Sequence, residues 1–207
     1  WDRIEATGAV LVRTDADWSV LQPTNPGSLG PGLNDTFDAT ALANLDAFVD
    51  DAAARGVNVW LNLAYTPAWA RSVATLPGGI TWGIVQHVAP SREPENGYPD
   101  FANVAWFLAD RYAVRQPECV VAIGVWNEPN VQDFWMQPPG TGTQPSVNYT
   151  PDAGRYAQLA RGAYDAIKSG VVAHRATRTA HPEIYVTAGA TAPAIGTGNG
   201  SDYGPLE

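Results

Sequence analysis

The sequence is poor in several residue types on which other classes of protein depend. Its one cysteine, Cys119, excludes an internal disulfide and a cysteine-based metal cluster. Only 12 lysines and arginines stand against 21 aspartates and glutamates, and the formal charge of −9 disfavours nucleic acid and anionic membranes as partners. No apolar run approaches the roughly 20 residues of a membrane-spanning helix. The composition therefore predicts neither a membrane protein nor a nucleic-acid-binding one.

Motifs for cofactor and acyl-transfer chemistry are also missing. No G-x-G-x-x-G and no phosphate-binding loop follows an apolar segment, and there is no G-x-S-x-G nucleophile elbow. The three histidines, His87, His174 and His181, lack the spacing of metal ligands. We therefore expect no metal and no cofactor, and any chemistry falls to carboxylates, amides and aromatic rings.

Apolar residues are plentiful and alternate between two periodicities. A hydrophobic content of 45% in 207 residues predicts one packed domain, 1–207. Three stretches with helical spacing separate the strand-like runs, with Asp100 expected to cap the second helix and Gly56 and Gly170 expected to end the first and third. The predicted strands are 9–15, 57–65, 119–126 and 183–190.

Strands that alternate with helices predict βαβ units and a parallel sheet, covered on both faces because the strands are nearly all apolar. Such a sheet is either open and doubly wound or closed as a (β/α)8 barrel. Barrel enzymes carry their chemistry at the carboxyl ends of the strands. Polar and aromatic residues gather there, which favours the barrel: Asp15, Asp17, Trp18, Tyr65, Trp69, Asn127, Glu128 and Trp135.

The third strand stops at a polar corner, "VWNEPN" (125–130). Pro129 disfavours helical geometry in the residue before it, which predicts that Glu128 is extended and projects from the strand end. A carboxyl group held at a barrel mouth beside Trp126 is suited to general acid catalysis. Asn127 joins it in one site only if the strand ends or bulges here, as we expect. The alternative is that these residues form a plain turn.

This corner resembles a known family of enzymes. "IGVWNEPNVQDFW" (123–135) is similar to the acid/base strand of the clan A glycoside hydrolases, which are retaining (β/α)8-barrel enzymes. The form is closest to the β-xylosidase/α-iduronidase type, family thirty-nine, and its bacterial endoglycosidase relatives. Segments 9–23, 57–70 and 155–194 resemble the second strand, the third strand, and the fourth helix with the fifth strand. The resemblance implies a partial barrel that holds strands two to five.

The resemblance also implies roles for individual residues. Glu128 would be the proton donor and later the general base, and Asn127 would bind the sugar 2-hydroxyl. Arg13 would pair with carboxylates under the active site, the alternative being a structural salt bridge away from the substrate. Trp18, Trp69 and Trp135 would be platforms on which sugar rings pack, and Tyr65 and Asp17 would contact sugar hydroxyls. For each of these residues the alternative is a role in packing.

A retaining enzyme needs a second carboxylate about 5–5.5 Å from the first. In the resembling family this is a glutamate at the end of the seventh strand, and the resemblance therefore implies a nucleophile beyond Glu207. The remaining glutamates are ill placed, because they begin strands or lie in loops or near the termini: Glu5, Glu93, Glu95, Glu118, Glu183 and Glu207. Asp15 and Asp17 lie on the correct rim and are the alternative partners. We accordingly expect the 207 residues alone to be poorly soluble, to self-associate or to lack turnover.

The predicted function is hydrolysis of O-glycosidic bonds in poly- or oligosaccharides, with a carbohydrate as the substrate. Two alternatives stay open: a catalytically incomplete or glycan-binding relative of the same barrel, and an inverting hydrolase that pairs Asp17 with Glu128. Glycan-degrading bacterial enzymes are usually exported, so we expect an extracellular or secreted protein, with a cytoplasmic location as the alternative.

Overall fold

The computed structural model describes residues 1–27, 36–71, 85–91, 96–130, 134–135, 153–172, 174–178 and 183–190. The strands are β1 (Leu11–Asp17), β2 (Asn58–Ala64), β3 (Val120–Asn127) and β4 (Tyr185–Ala190). The α-helices are α1 (Asp2–Glu5), α2 (Trp18–Leu21), α3 (Ala39–Ala54), α4 (Pro99–Val114) and α5 (Ala153–Val172). None of these helices has the length and apolar character needed to cross a membrane.

The four strands form one parallel sheet in the order β1-β2-β3-β4. Each strand pairs with the next one in the sequence, whereas a doubly wound sheet reverses its strand order at a switch point. Right-handed crossovers place the successive helices on the same side of the sheet. The prediction of a parallel, partial (β/α)8 barrel is therefore confirmed.

The sheet has a helix face, on which α3, α4 and α5 pack, and an open face. On the helix face Val59, Leu61, Ile123 and Val125 are buried, and Cys119 is buried at the start of β3. The open face of β1 is different, because its alternate residues Leu11, Arg13 and Asp15 are exposed among the described residues. The prediction that both faces are covered is thus wrong for the edge strands β1 and β4, the second of which exposes Tyr185 and Ala188, although it holds for most of β2 and β3.

Two predicted helix boundaries are wrong. Asp100 does not cap α4, which begins at Pro99 after the N-cap residue Tyr98; proline suits this first position because its missing N–H would have no helical partner. Gly170 does not end α5, which continues to Val172. A Cβ at Gly170 would lie 2.8 Å from the carbonyl oxygen of Trp106, so this glycine serves close helix packing instead of a cap. Gly56 follows α3 with a left-handed φ of +67°, as predicted.

Candidate active site

The corner after β3 departs from extended geometry. Trp126 has a φ of +71° and Glu128 a φ of +45°, both in the left-handed region that non-glycine residues rarely adopt. The prediction that Pro129 holds Glu128 extended is therefore wrong. The steric rule for a residue before proline acts mainly against the right-handed helical region, so it does not exclude the left-handed geometry of this turn, at which both Trp126 and Pro129 are buried.

Left-handed geometry at Trp126 reverses the alternation of side chains. By register, Trp126 should share the open face with Ala122, which pairs through Trp60 with Arg13. Its ring instead packs on the helix side, with ring-centroid distances of 6.1 Å to Phe101 of α4 and 5.0 Å to Trp135. The next residue, Asn127, consequently points to the open face. The expected break in alternation is present, and the register on either side of it is kept.

Polar side chains form a chain of contacts across the open face. Arg13 Nη2 donates to Asn127 Oδ1 at 2.6 Å and lies 3.6 Å from Asp15 Oδ1. To reach β3 from β1, the guanidinium passes over the ring of Trp60, 5.5 Å from its centroid. Asn62 Nδ2 donates to Asp15 Oδ1 at 3.0 Å. Because arginine only donates, the amide oxygen of Asn127 must face it, which leaves the amide NH2 to donate elsewhere.

Tyr65 lies directly after β2 with a left-handed φ of +72°. Burial raises the pKa of its phenol, and the charges of Asp15, Asp17 and Glu128 raise it further, with Arg13 opposing them. Asp15 and Asp17 end β1, Tyr65 follows β2 and Glu128 follows β3, so the parallel sheet places these residues at the carboxyl ends of neighbouring strands. With a raised pKa the hydroxyl stays protonated at neutral pH and is available as a hydrogen-bond donor.

The ring of Tyr65 belongs to a stack of three rings. His87 lies against Tyr65, with ring centroids 4.8 Å apart and an interplanar angle of 25°. Phe134 lies against His87 at 4.8 Å and 27°. Phe134 comes from the segment that follows Glu128, and His87 ends a short 3-10 helix, Val85–His87. The stack therefore joins three separate segments of the chain: the end of β2, the short 3-10 helix, and the segment after Glu128.

Two of the three predicted sugar platforms are wrong. Trp18 and Trp135 are both 0% exposed, so neither ring is available to a sugar in this structure. Trp18 packs edge-on against Trp69 at 5.5 Å, and its indole N–H donates to Gln22 Oε1 at 3.0 Å. Trp69 is only half-buried, so it remains the candidate platform.

Asp17 has a structural partner at the same rim. Its carboxylate caps α2, accepting the backbone N–H of Ser19 at 2.8 Å and the Ser19 hydroxyl at 2.6 Å. Glu183 lies before β4, at the opposite rim, in ion pairs with Lys168 and Arg175. The residues Glu93, Glu95, His181 and Glu207 lie outside the described part of the chain. Within that part, no cluster of three or more His, Cys, Asp or Glu side chains is arranged to hold a metal ion.

Sequence reasoning missed two residues of this region, Asn62 and His87. Asn62 carries a usable signal, because it is a polar residue inside an apolar strand and lies in register with Asp15. His87 carries none, since the stretch around it has no periodicity and its stacking partners are distant in the sequence.

Consecutive parallel strands with an Asn–Glu pair at a carboxyl end are the arrangement expected of a barrel-type glycoside hydrolase of clan A. The sequence profile of Cellulase (glycosyl hydrolase family 5) matches residues 1–169, and the chain belongs to this family. The predicted resemblance to the clan A glycoside hydrolases is confirmed. The matching profile is that of family 5, whereas the motif around Glu128 most resembles family thirty-nine. No curated protein matches the chain.

Solved structures support the fold. A family 39 glycoside hydrolase from the gut symbiont Bacteroides cellulosilyticus WH2 is similar with a TM-score of 0.51 and 18% identity, over 89% of this chain and 27% of its own. Fpglu1 from Fervidobacterium pennivoraus is similar with a TM-score of 0.54 and 20% identity, over 80% of this chain and 37% of its own. The chain thus spans 27% and 37% of the lengths of these two structures.

Proposed function

We propose that this chain carries the acid/base side of a retaining glycoside hydrolase site that cleaves O-glycosidic bonds in poly- or oligosaccharides. Glu128 protonates the glycosidic oxygen as the leaving group departs, and then removes a proton from the water that hydrolyses the glycosyl-enzyme intermediate. The observation that carries the proposal is the 2.6 Å bond from Arg13 to Asn127, which fixes the residue next to Glu128 on the open face.

Asn127 orients the sugar in this mechanism. Arg13 holds its amide oxygen, and its NH2 group donates to the sugar 2-hydroxyl, an interaction that strengthens as the ring approaches the oxocarbenium-like transition state. Tyr65 donates its retained proton to a second substrate oxygen. The half-exposed ring of Trp69 packs against the apolar face of a pyranose.

The second carboxylate comes from outside the described residues in this proposal. Asp15 is held by Arg13 and Asn62, and Asp17 accepts two hydrogen bonds from Ser19. All of these contacts fall on Oδ1 and give the two aspartates structural roles at the rim. We place the nucleophile on a glutamate beyond Glu207, because the clan resemblance implies a glutamate at the end of the seventh strand.

The product configuration tests the proposed reaction. The natural full-length protein is incubated with a panel of aryl α- and β-glycosides, and the first-formed sugar anomer is identified by proton NMR before mutarotation. Retention of configuration is expected from a double displacement. Inversion would instead favour Asp17 and Glu128 acting about 6.5–9.5 Å apart. Glycan binding without turnover would replace the proposal with a binding role.

Asn127→Ala tests the contact with the 2-hydroxyl. We expect kcat/KM to fall about 100-fold or more on ordinary glycosides, because hydrogen bonds to the 2-hydroxyl supply several kcal/mol in the transition state. The matching 2-deoxy glycosides lack that hydroxyl, so their hydrolysis should change little. An equal loss on both substrates, measured by aryl alcohol release, would contradict the contact.

A further inference from the structure

The ladder between β3 and β4 is interrupted at one position. Val125 pairs with Ala188 and Asn127 with Ala190, but Trp126 and Gly189 between them do not pair. The interruption coincides with the left-handed φ of Trp126. Buried backbone groups left in this way need another partner, since an unsatisfied one costs about 1–3 kcal/mol.

Tyr156, on α5, supplies that partner. Its hydroxyl accepts the backbone N–H of Gly189 at 2.6 Å and donates to the carbonyl oxygen of Val125 at 2.9 Å. The side chain is only 9% exposed, and burial raises the pKa of its phenol, so the hydroxyl keeps the proton that it donates. One hydroxyl thus joins the two strands where their own ladder is broken.

The corner that carries Glu128 packs directly against Gly189, the residue whose N–H bonds to Tyr156. A Cβ at Gly189 would lie 2.8 Å from the Trp126 carbonyl oxygen and 2.8 Å from Pro129 Cδ. Trp135 packs edge-on against both Trp126, at 5.0 Å, and Tyr156, at 5.8 Å. The position of the corner, Trp126–Pro129, therefore depends on where Tyr156 holds Gly189.

We propose that Tyr156 is a positioning residue for the acid/base corner: its hydroxyl sets the orientation of Glu128 and Asn127 from the helix layer, without touching substrate. The inference rests on the proposed function. A displacement of about 1 Å at a catalytic group is enough to cost about 100-fold in rate. General acid assistance is especially sensitive, because the proton must reach the leaving oxygen over hydrogen-bond distance.

Tyr156→Phe in the natural full-length protein tests this role. The substitution removes the hydroxyl and keeps the ring against Trp135. We expect kcat to fall about 10- to 100-fold on aryl glycosides with poor leaving groups, with KM nearly unchanged. The kcat/KM for glycosides with an activated leaving group, such as dinitrophenol, should fall much less, because this ratio reports the first step and that group departs without full protonation.

A buried tyrosine elsewhere provides the matched control. The Tyr112 hydroxyl donates to Asp46 Oδ1 at 3.1 Å between α4 and α3, away from the corner. Tyr112→Phe should lower the melting temperature but leave the ratio of rates on the two leaving groups as in the wild type. If Tyr156→Phe also lowers stability while leaving that ratio unchanged, Tyr156 is only structural and the proposal is overturned.

Gly189→Ala is the second variant if Tyr156→Phe fails to fold. It disturbs the same corner through Pro129, and an unchanged leaving-group ratio in that variant overturns the proposal.

If the wild-type protein has no glycosidase turnover, the proposed function fails on its own. Crystal structures of the wild type and Tyr156→Phe then decide the positioning role: a shifted Glu128 carboxylate supports it, and an unmoved one overturns it.

Discussion

Hydrolysis of glycosides with poor leaving groups should slow by about 100- to 10,000-fold when Glu128 is replaced by alanine, the range that general acid–base catalysis supplies. Without a proton donor the leaving alkoxide departs unprotonated, so the first chemical step carries the loss. Glycosides of dinitrophenol should react much faster than poorly activated ones in this variant, because their leaving group is stable as an anion. Steady-state rates over a series of leaving groups measure the effect as a steep dependence on leaving-group acidity.

Azide separates the second step from the first. The glycosyl-enzyme intermediate of a retaining enzyme normally needs a base to activate water, and azide attacks without one. Added azide should therefore restore turnover of the activated substrate in Glu128→Ala and yield a glycosyl azide. Glu118→Ala is the control, since Glu118 is also half-buried but precedes β3 at its opposite end. A rate loss independent of the leaving group would rule Glu128 out as the acid.

Gly162→Ala should strongly destabilise the fold, although alanine normally stabilises a helix relative to glycine by about 0.5–1 kcal/mol. A Cβ at this position in α5 would overlap the carbonyl oxygen of Gly97 and lie 2.9 Å from its carbonyl carbon and 3.1 Å from its Cα. Backbone atoms cannot rotate away, so α5 must shift from the start of α4. Overpacking of this kind costs about 3 kcal/mol.

The melting temperature measures this change. For a protein of this size, a loss of about 3 kcal/mol corresponds to a drop of about 6–12 °C. Asp165→Ala is the matched control, because Asp165 is exposed in the same helix, and exposed substitutions stay within about 0.5 kcal/mol. A Gly162→Ala protein as stable as this control would mean that α4 and α5 are farther apart than the structure has them.

The strands and long helices were predictable because their signals are local. Apolar runs located all four strands to within about two residues, and the predicted cap at Gly56 is present. The errors at Asp100 and Gly170 arise because a capping residue and a packing residue look alike in a sequence. The four-residue helix α2 is too short to show any periodicity.

The candidate site was predictable in its location and less so in its geometry. Parallel strands bring their carboxyl ends to one rim, so Tyr65 and Glu128 were expected together. The sequence predicted a break in the alternation at this corner, but not that a left-handed Trp126 would produce it and bring Asn127 within reach of Arg13. The burial of Trp18 and Trp135 could not be predicted from the sequence either, because tryptophan is suited both to a core and to a sugar platform. Glycosidic activity and export stay predictions.

The stack of Tyr65, His87 and Phe134 has a consequence for how this protein can evolve or be redesigned. Three segments that are far apart in the sequence share this one stack of rings, so the effect of a substitution in one of them should depend strongly on the residues in the other two. Libraries that vary these positions one at a time will therefore discard combinations that only succeed jointly.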